Sequence, residues 1–417
     1  MTTQLQQLDA TLPDGWRSVS VREVIDEALP GFACGERESD GVIQLRMHNV
    51  DTRGNLIWDE FIRVPCGEDK LAKYRLKCGD VVFNNTNSTE LVGKSAYFEP
   101  RNNEPIVFSN HFTRLRPAPR TLRSDFLAYW LQYEWNRRTF EKMCDRWIGQ
   151  SAVKAARLFT LSIPLPPLAE QERIAGILKE QLAAVERARA AAEAQLEAAK
   201  ALPAAYLRDV FEGDEAKTWP AYPFGDFIKA TRNGFGRRPS GIEEGPIVLR
   251  LADVSSGRID LSDVRRGTLS DDEFEQYRIH KDELLFVRVN GSRDFIGRCI
   301  HVDAEYDDVA YNDHLIRVDL RSGLSPAFAR LALSSHGLRT AILEGASTSA
   351  GQLTINQSLL ASLPVPVPTD KWQATVVAEC EERARQGAIL ERIVQEQLDS
   401  IEALPAALLR AAFQGKL

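Results

Sequence analysis

The sequence predicts an α+β protein in which two strand-rich globular domains alternate with two long helices. The helices are expected to pair as an antiparallel coiled coil, so that the chain is an internal repeat with pseudo-twofold character. Two observations carry this expectation. The first is a duplication: Ala201-Leu202-Pro203-Ala204-Ala205-Tyr206-Leu207-Arg208 returns as Ala403-Leu404-Pro405-Ala406-Ala407-Leu408-Leu409-Arg410, and Phe211 and Gly213 return as Phe413 and Gly415, a shift of 202. The second is the regular order of short apolar runs, a proline punctuation and a long stretch of helix formers in each copy. This order divides the chain into domains at 1–160 and 214–361 and helical regions at 161–213 and 362–417.

The globular copies match in order. Trp16 falls on Trp219 and Gly31-Phe32 on Gly234-Phe235, both shifted by 203. Gly93-Lys94 falls on Gly297-Arg298, and His111 and Arg114 fall on His314 and Arg317. Apolar runs at 42–50, 81–83, 106–108, 247–251 and 284–289, separated by turn residues, read as strands of mixed or antiparallel sheets. Each copy then turns helical, over 125–144 and again over 326–343, where Pro326 suits a first turn.

Prolines 164, 166 and 167, and 364, 366 and 368, end each domain, because proline removes a backbone donor and holds its neighbour extended. Ser162-Ile163-Pro164-Leu165-Pro166 matches Ser362-Leu363-Pro364-Val365-Pro366 at a shift of 200. Residues 169–202 are rich in Ala, Glu, Gln, Lys, Arg and Leu, all good helix formers. Ala175, Leu178, Leu182, Val185, Arg189, Ala192, Leu196 and Ala199 recur in steps of three and four, a coiled-coil seam. The second seam reads Val376, Cys380, Arg383, Gly387, Leu390, Val394, Gln397, Ile401 and Leu404. The alternative is that each helix packs only on its own domain. Pro203 and Pro405 are expected to interrupt the helices at one repeat position and redirect short amphipathic tails onto a neighbouring domain or a partner.

Composition bounds the function. Of 417 residues, 44% are hydrophobic and 27% charged, as in a soluble globular protein. No apolar run reaches the roughly 18 residues of a membrane span, and the polar start lacks the features of a signal peptide. Six cysteines without metal-ligand spacing read as reduced thiols in a cytoplasm. The net charge of −7 does not advertise nucleic acid, so DNA binding needs arginines segregated locally.

At this point the residues resemble a known family, the specificity subunit of Type I restriction-modification enzymes. The resemblance rests on Leu12-Pro13-Asp14-Gly15-Trp16, on the run from Ile163 to Ile174 that contains Pro164-Leu165-Pro166-Pro167-Leu168-Ala169-Glu170-Gln171-Glu172, and on the closing Ala412-Phe413-Gln414-Gly415-Lys416-Leu417. The second copy reads Val365-Pro366-Val367-Pro368-Thr369-Asp370-Lys371-Trp372 where a Glu-Gln pair is expected. The resemblance implies two target-recognition domains, each reading one half of a bipartite site in double-stranded DNA. The helices would space them and dock two modification subunits, with restriction subunits joining that core. S-adenosylmethionine would reside on the modification subunit, leaving this chain without cofactor, metal or catalysis. Glu170, Gln171, Arg173, Tyr206, Phe211, Leu408 and Phe413 are the candidates for holding a partner. A helix over 168–202 spans roughly 50 Å, on the order of one and a half duplex turns.

Chemistry within the chain finds no support in its motifs. Gly234-Phe235-Gly236-Arg237-Arg238 lacks the third glycine of a dinucleotide fingerprint, and His111 and His314 read as hydrogen-bonded structural histidines. Side-chain types instead point to groove contacts, since arginine suits guanine and Asn or Gln suits adenine. Loops that differ between matching strands give three candidate pairs. Arg37 pairs with Arg237 and Arg238. Asn84, Asn85, Asn87 and Lys94 pair with Arg288, Asn290, Arg293 and Arg298. Arg146, Gln150, Lys154 and Arg157 pair with Gln352 and Asn356. The competing readings are a coiled-coil scaffold that binds protein partners through its two globular domains, and an enzyme with an unrecognised site.

Overall fold

The structure, a computed structural model, describes residues 12–236, 242–349 and 351–417. The chain forms two compact units, one of residues 1–193 with 396–417 and one of residues 194–395. Each long helix therefore contributes its beginning to one unit and its end to the other.

The first unit is centred on a four-stranded antiparallel sheet in the order Ile25–Pro30, Phe112–Pro117, Val81–Asn84, Ser95–Tyr97. All of Val81–Asn84 is buried because the sheet has a core on each face. Val81 and Phe83 join Phe126, Trp130 and Phe140 on one side, and Val82 joins Ile43, Leu45 and Phe108 on the other. Period-two alternation forces this division. A second sheet pairs Val42–Leu45 with Ile62–Val64 antiparallel and with Ile106–Phe108 parallel.

The second unit repeats the plan. Its four-stranded sheet runs Ile228–Asn233, Leu315–Leu320, Leu284–Val287, Cys299–His301. Leu284 and Phe286 face one core and Leu285 and Val287 the other. Ile242–Leu249 pairs in parallel with Val309–Tyr311. The matched Gly31 and Gly234 have a shared reason. A Cβ on either would strike backbone carbonyls, Ser109 O in one unit and Asn312 O in the other, where Phe32 and Phe235 make equivalent parallel bridges.

The helical stretch after each sheet is broken, against expectation. Ser124–Asn136 ends where Arg138 turns left-handed at φ 58°, and Thr139–Met143 follows. Pro326–Ser334 ends at extended Ser335, and His336–Gly345 follows.

The long helices run without interruption from Leu168 to Glu212 and from Asp370 to Phe413, enclosing Pro203 and Pro405. The expected interruption does not occur. Each tail instead docks on the unit it enters, which offsets the hydrogen bond that proline removes. In the first unit Phe413 packs on Phe126 and Tyr133 with ring centroids 5.1 and 5.2 Å apart. In the second, Phe211 packs on Phe328 at 5.6 Å. Both units pair the start of one helix antiparallel with the end of the other: Ile174 and Leu178 share a core with Leu409 and Phe413, and Val376 and Cys380 share one with Phe211.

In the first seam Ala175, Leu178, Val185, Ala192, Leu196 and Ala199 are buried as the spacing predicts, and Leu182 and Arg189 are half-buried. The second keeps Val376, Cys380, Gly387 and Val394 buried as expected, but Arg383, Leu390 and Leu404 stand exposed, and Leu398 is buried in place of Gln397.

The proline punctuation shifts register. Val19 pairs with Ile163, and Tyr222 pairs with Val365, both in short antiparallel ribbons. The true repeat there is 202, so Ile163 corresponds to Val365 and Pro166 to Pro368. The same register restores the missing glutamine. Gln171 Nε2 donates to Thr121 O and Pro166 O, both 2.9 Å, and its Oε1 accepts from Arg123 N at 2.9 Å. Gln373 Nε2 donates to Gly323 O and Pro368 O, both 3.1 Å, and its Oε1 accepts from Ser325 N at 2.8 Å. All four residues of each set are related by 202.

Candidate nucleic-acid interface

Two of the three candidate loop pairs come together in each unit. In the first, Asp145–Trp147 and Gln150–Ala152 form a hairpin, and Thr86–Asn87 adds a third strand. In the second, Ser347–Ser349 and Gln352–Thr354 form the hairpin, and Val289–Asn290 is the third strand. The hairpins share one turn geometry because Gly149 (φ 81°) and Gly351 (φ 79°) hold the left-handed position that other residues resist. They are anchored alike. Val153 N donates to Asn85 O and Ile355 N to Arg288 O, both 2.9 Å. Asn85 N and Arg288 N in turn donate to His111 O and His314 O. The two histidines thus supply backbone carbonyls to the scaffold, and burial together with Arg46 holds the His111 imidazole below its ordinary pKa.

The scaffold is common and the tips are not. Arg146, Trp147, Ile148 and Gln150 are exposed at the first tip. At the equivalent positions the second hairpin carries Thr348, Ser349 and Gln352, with Ala350 outside the described residues. Charge differs as sharply. Residues 137–157 hold six Lys/Arg against Glu141 and Asp145, whereas 339–359 hold only Arg339 and Glu344. Asp145 is itself neutralised, its carboxyl kept below the usual range by Lys154 and Arg157. In a chain of net −7 this is a local segregation of positive charge.

The other candidates separate into exposed and internally bonded groups. Arg37, Arg293 and Gln352 are exposed, while Arg237 and Arg238 lie outside the described residues. Asn84 is fully buried and donates to Thr86 O and His111 O. Asn87 donates to Asn84 Oδ1. Lys94 is 5% exposed, its ammonium on the carbonyls of Met47 and Val50. Arg298 does the corresponding task on Ser255 O and stacks over Phe295. Arg157 reaches Met143 O, Arg288 reaches Asp313 O, Asn290 accepts from Ser292 N, and Asn356 caps the helix Gln357–Ser362. These side chains hold the loops in shape. Sequence reading passed over Trp147 and Ile148, although an Arg-aromatic-aliphatic run before a turn glycine was there to be seen.

Known proteins match this arrangement. Residues 33–197, which include the first hairpin, match the family model described as Type I restriction modification DNA specificity domain. The Type I restriction enzyme EcoKI specificity subunit of Escherichia coli (strain K12) is 27% identical over 427 residues, covering 97% of this chain and 90% of that protein. The StySPI specificity subunit of Salmonella potsdam is 27% identical over 424 residues, with the same coverage. Over nearly its whole length the chain is similar to Type I specificity subunits. Its fold agrees with a chain solved in work on complex assembly and conformational transition of the type I R-M system, at TM-score 0.72 and 19% identity over 98% of this chain and all of that one. It also agrees with the HsdS subunit from Thermoanaerobacter tengcongensis, at TM-score 0.60 and 20% identity over 98% and 99%.

In this chain the residues expected to hold partners are largely turned inward. Gln171 is fully buried and Phe413 is 1% exposed. Phe211 and Leu408 pack against the cores of their units. Tyr206 donates to Glu379 at 2.9 Å, with Arg383 over its ring. Glu170 and Arg173 are paired at 2.7 Å on the surface, and Arg173 also reaches Leu417 O. The helices instead expose Ile389, Leu390 and Ile393 on one segment. Among the described residues no helix is long and apolar enough to cross a membrane.

Proposed function

We propose that this chain is the non-catalytic DNA-reading subunit of a Type I restriction-modification enzyme, each unit reading one half of a bipartite target in duplex DNA. The observation that carries the reading is the pair of hairpins, equal in backbone, anchor and turn glycine and unequal in tip residues and charge. Different base edges need different side chains on a common support. Helices of 45 and 44 residues give the support for a fixed spacing between half-sites. Exposed Ile389, Leu390 and Ile393 offer apolar surface to a modification subunit, of which two would join, followed by restriction subunits. In this reading S-adenosylmethionine belongs to the modification subunit and the assembly works in the cytoplasm.

The test is to mix the chain with its host's modification subunit and measure duplex binding across salt. Salt-sensitive, sequence-specific binding by the assembly is expected. An assembly that prefers no DNA sequence overturns the proposal in favour of a scaffold for proteins. Turnover by the isolated chain overturns its non-catalytic part.

A further inference from the structure

Among the described residues, the two most exposed large apolar side chains are neighbours. Trp147 is 57% exposed and Ile148 is fully exposed, both at the tip of the first unit's hairpin. Their support is firm. Gly149 sets the turn, Ser151 is buried with its hydroxyl 2.8 Å from that of Thr89, and Asp145 at the hairpin base is held by Lys154 at 3.0 Å and Arg157 at 2.6 Å. An aromatic and an aliphatic side chain are thus held out into water on a braced ribbon. The surrounding segment carries six positive charges against two negative, a surface matched to phosphates and poorly matched to a neutral apolar partner.

We infer that Trp147 and Ile148 form a wedge that the first unit inserts at a base step of its half-site, Trp147 stacking on a base while Arg146 meets the backbone. The inference rests on the reading of the chain as a DNA-recognition subunit and deepens it. Apolar side chains placed between base steps unstack and kink a duplex, and the flanking cations repay contact with the bent backbone. The second hairpin keeps the glycine and the glutamine, as Gly351 and Gln352, and has Thr348 and Ser349 where the first has Arg146 and Trp147. Only one half of the target is therefore wedged. Sequence preference in that half arises partly from how easily a step opens, and pyrimidine–purine steps open most readily.

The experiment uses the full chain assembled with modification subunits, on target duplexes carrying 2-aminopurine at successive positions other than the methylated adenines. The wild-type assembly should brighten the probe at one step in one half-site only. Trp147→Ala should abolish that signal and weaken specific binding about 10- to 100-fold, the range for losing one base–aromatic stack. Trp147→Phe should retain both. Arg146→Ala should instead weaken all sequences alike and flatten the salt dependence. The wedge is overturned if Trp147→Ala combined with Ile148→Ser binds and brightens as wild type does, or if it weakens assembly with the modification subunit while DNA binding by the assembled fraction is unchanged. A wild-type assembly without any sequence-specific binding overturns the recognition reading itself, and the wedge with it. An unchanged melting temperature in each variant excludes misfolding as the cause.

Discussion

Replacing Gln171 by alanine should destabilise the first unit far more than an ordinary polar-to-alanine change. The side chain is fully buried and joins the start of a long helix to the loop that precedes the helix Ser124–Asn136. Truncation leaves three backbone groups without their partner: the N–H of Arg123 and the carbonyls of Thr121 and Pro166. Each unsatisfied buried group costs about 1–3 kcal/mol. The carbonyls sit at the lower end because they keep a second lone pair, so the total is about 3 kcal/mol. For a unit of roughly 200 residues each kcal/mol lowers Tm by about 2–4 °C, giving a drop of about 6–12 °C. Gln373→Ala should act alike on the second unit, slightly less because its two donated bonds are longer, at 3.1 Å. Differential scanning calorimetry of the full chain reads both. Gln171→Glu, which turns a carboxylate toward two carbonyls, should be worse than alanine. Drops below about 2 °C for both alanine variants would refute the idea that these glutamines latch helix to domain.

Other expectations follow from the same geometry. Lys94→Ala should lower Tm, because it leaves the carbonyls of Met47 and Val50 unpaired, and should leave DNA affinity nearly unchanged; a selective loss of affinity would return Lys94 to the binding surface. Phe413→Ala removes a ring packed on Phe126 and Tyr133 and should cost about 3–5 kcal/mol by denaturant titration, whereas a cost below about 1 kcal/mol would mean the tail is not docked. Exchanging residues 14–160 for those of a relative should change one half of the methylated site, read by methylation-sensitive sequencing, and a change in both halves or in neither defeats the modular reading. Deleting one heptad from both long helices should shorten the tolerated gap between half-sites, and an unchanged gap refutes the helical ruler.

The duplication was legible because its landmarks are physically costly to change. Gly31 and Gly234 face carbonyls that exclude a Cβ, and Phe211 and Phe413 fill equivalent sites. Register was harder to read where the repeat has a period of its own. Alternating proline and aliphatic residues around 162–166 look the same when slipped by two, since strand faces recur every second residue. That slip hid Gln373. The breaks at Arg138 and Ser335 were missed because the apolar pattern continues on either side, although Asn136 and Thr139 at the first and Ser334-Ser335-His336-Gly337 at the second are poor helix formers. The candidate contacts divided for a different reason. Asn84 and Lys94 occur in polar loops beside strands, and whether such a side chain points into the protein or out to a groove depends on carbonyls that no local pattern announces.

The swapped helix ends carry a consequence for the chain's lineage. A fragment of about the first 213 residues would possess the Phe126–Tyr133 acceptor but not Phe413, and would carry Phe211, the residue of the same rank in the repeat. Two such fragments can each lend the other the missing phenylalanine, so the half-length polypeptide should associate as a reciprocal homodimer. Its two globular units would then be identical, and on the DNA-reading function proposed above the sequence they select would be an inverted repeat.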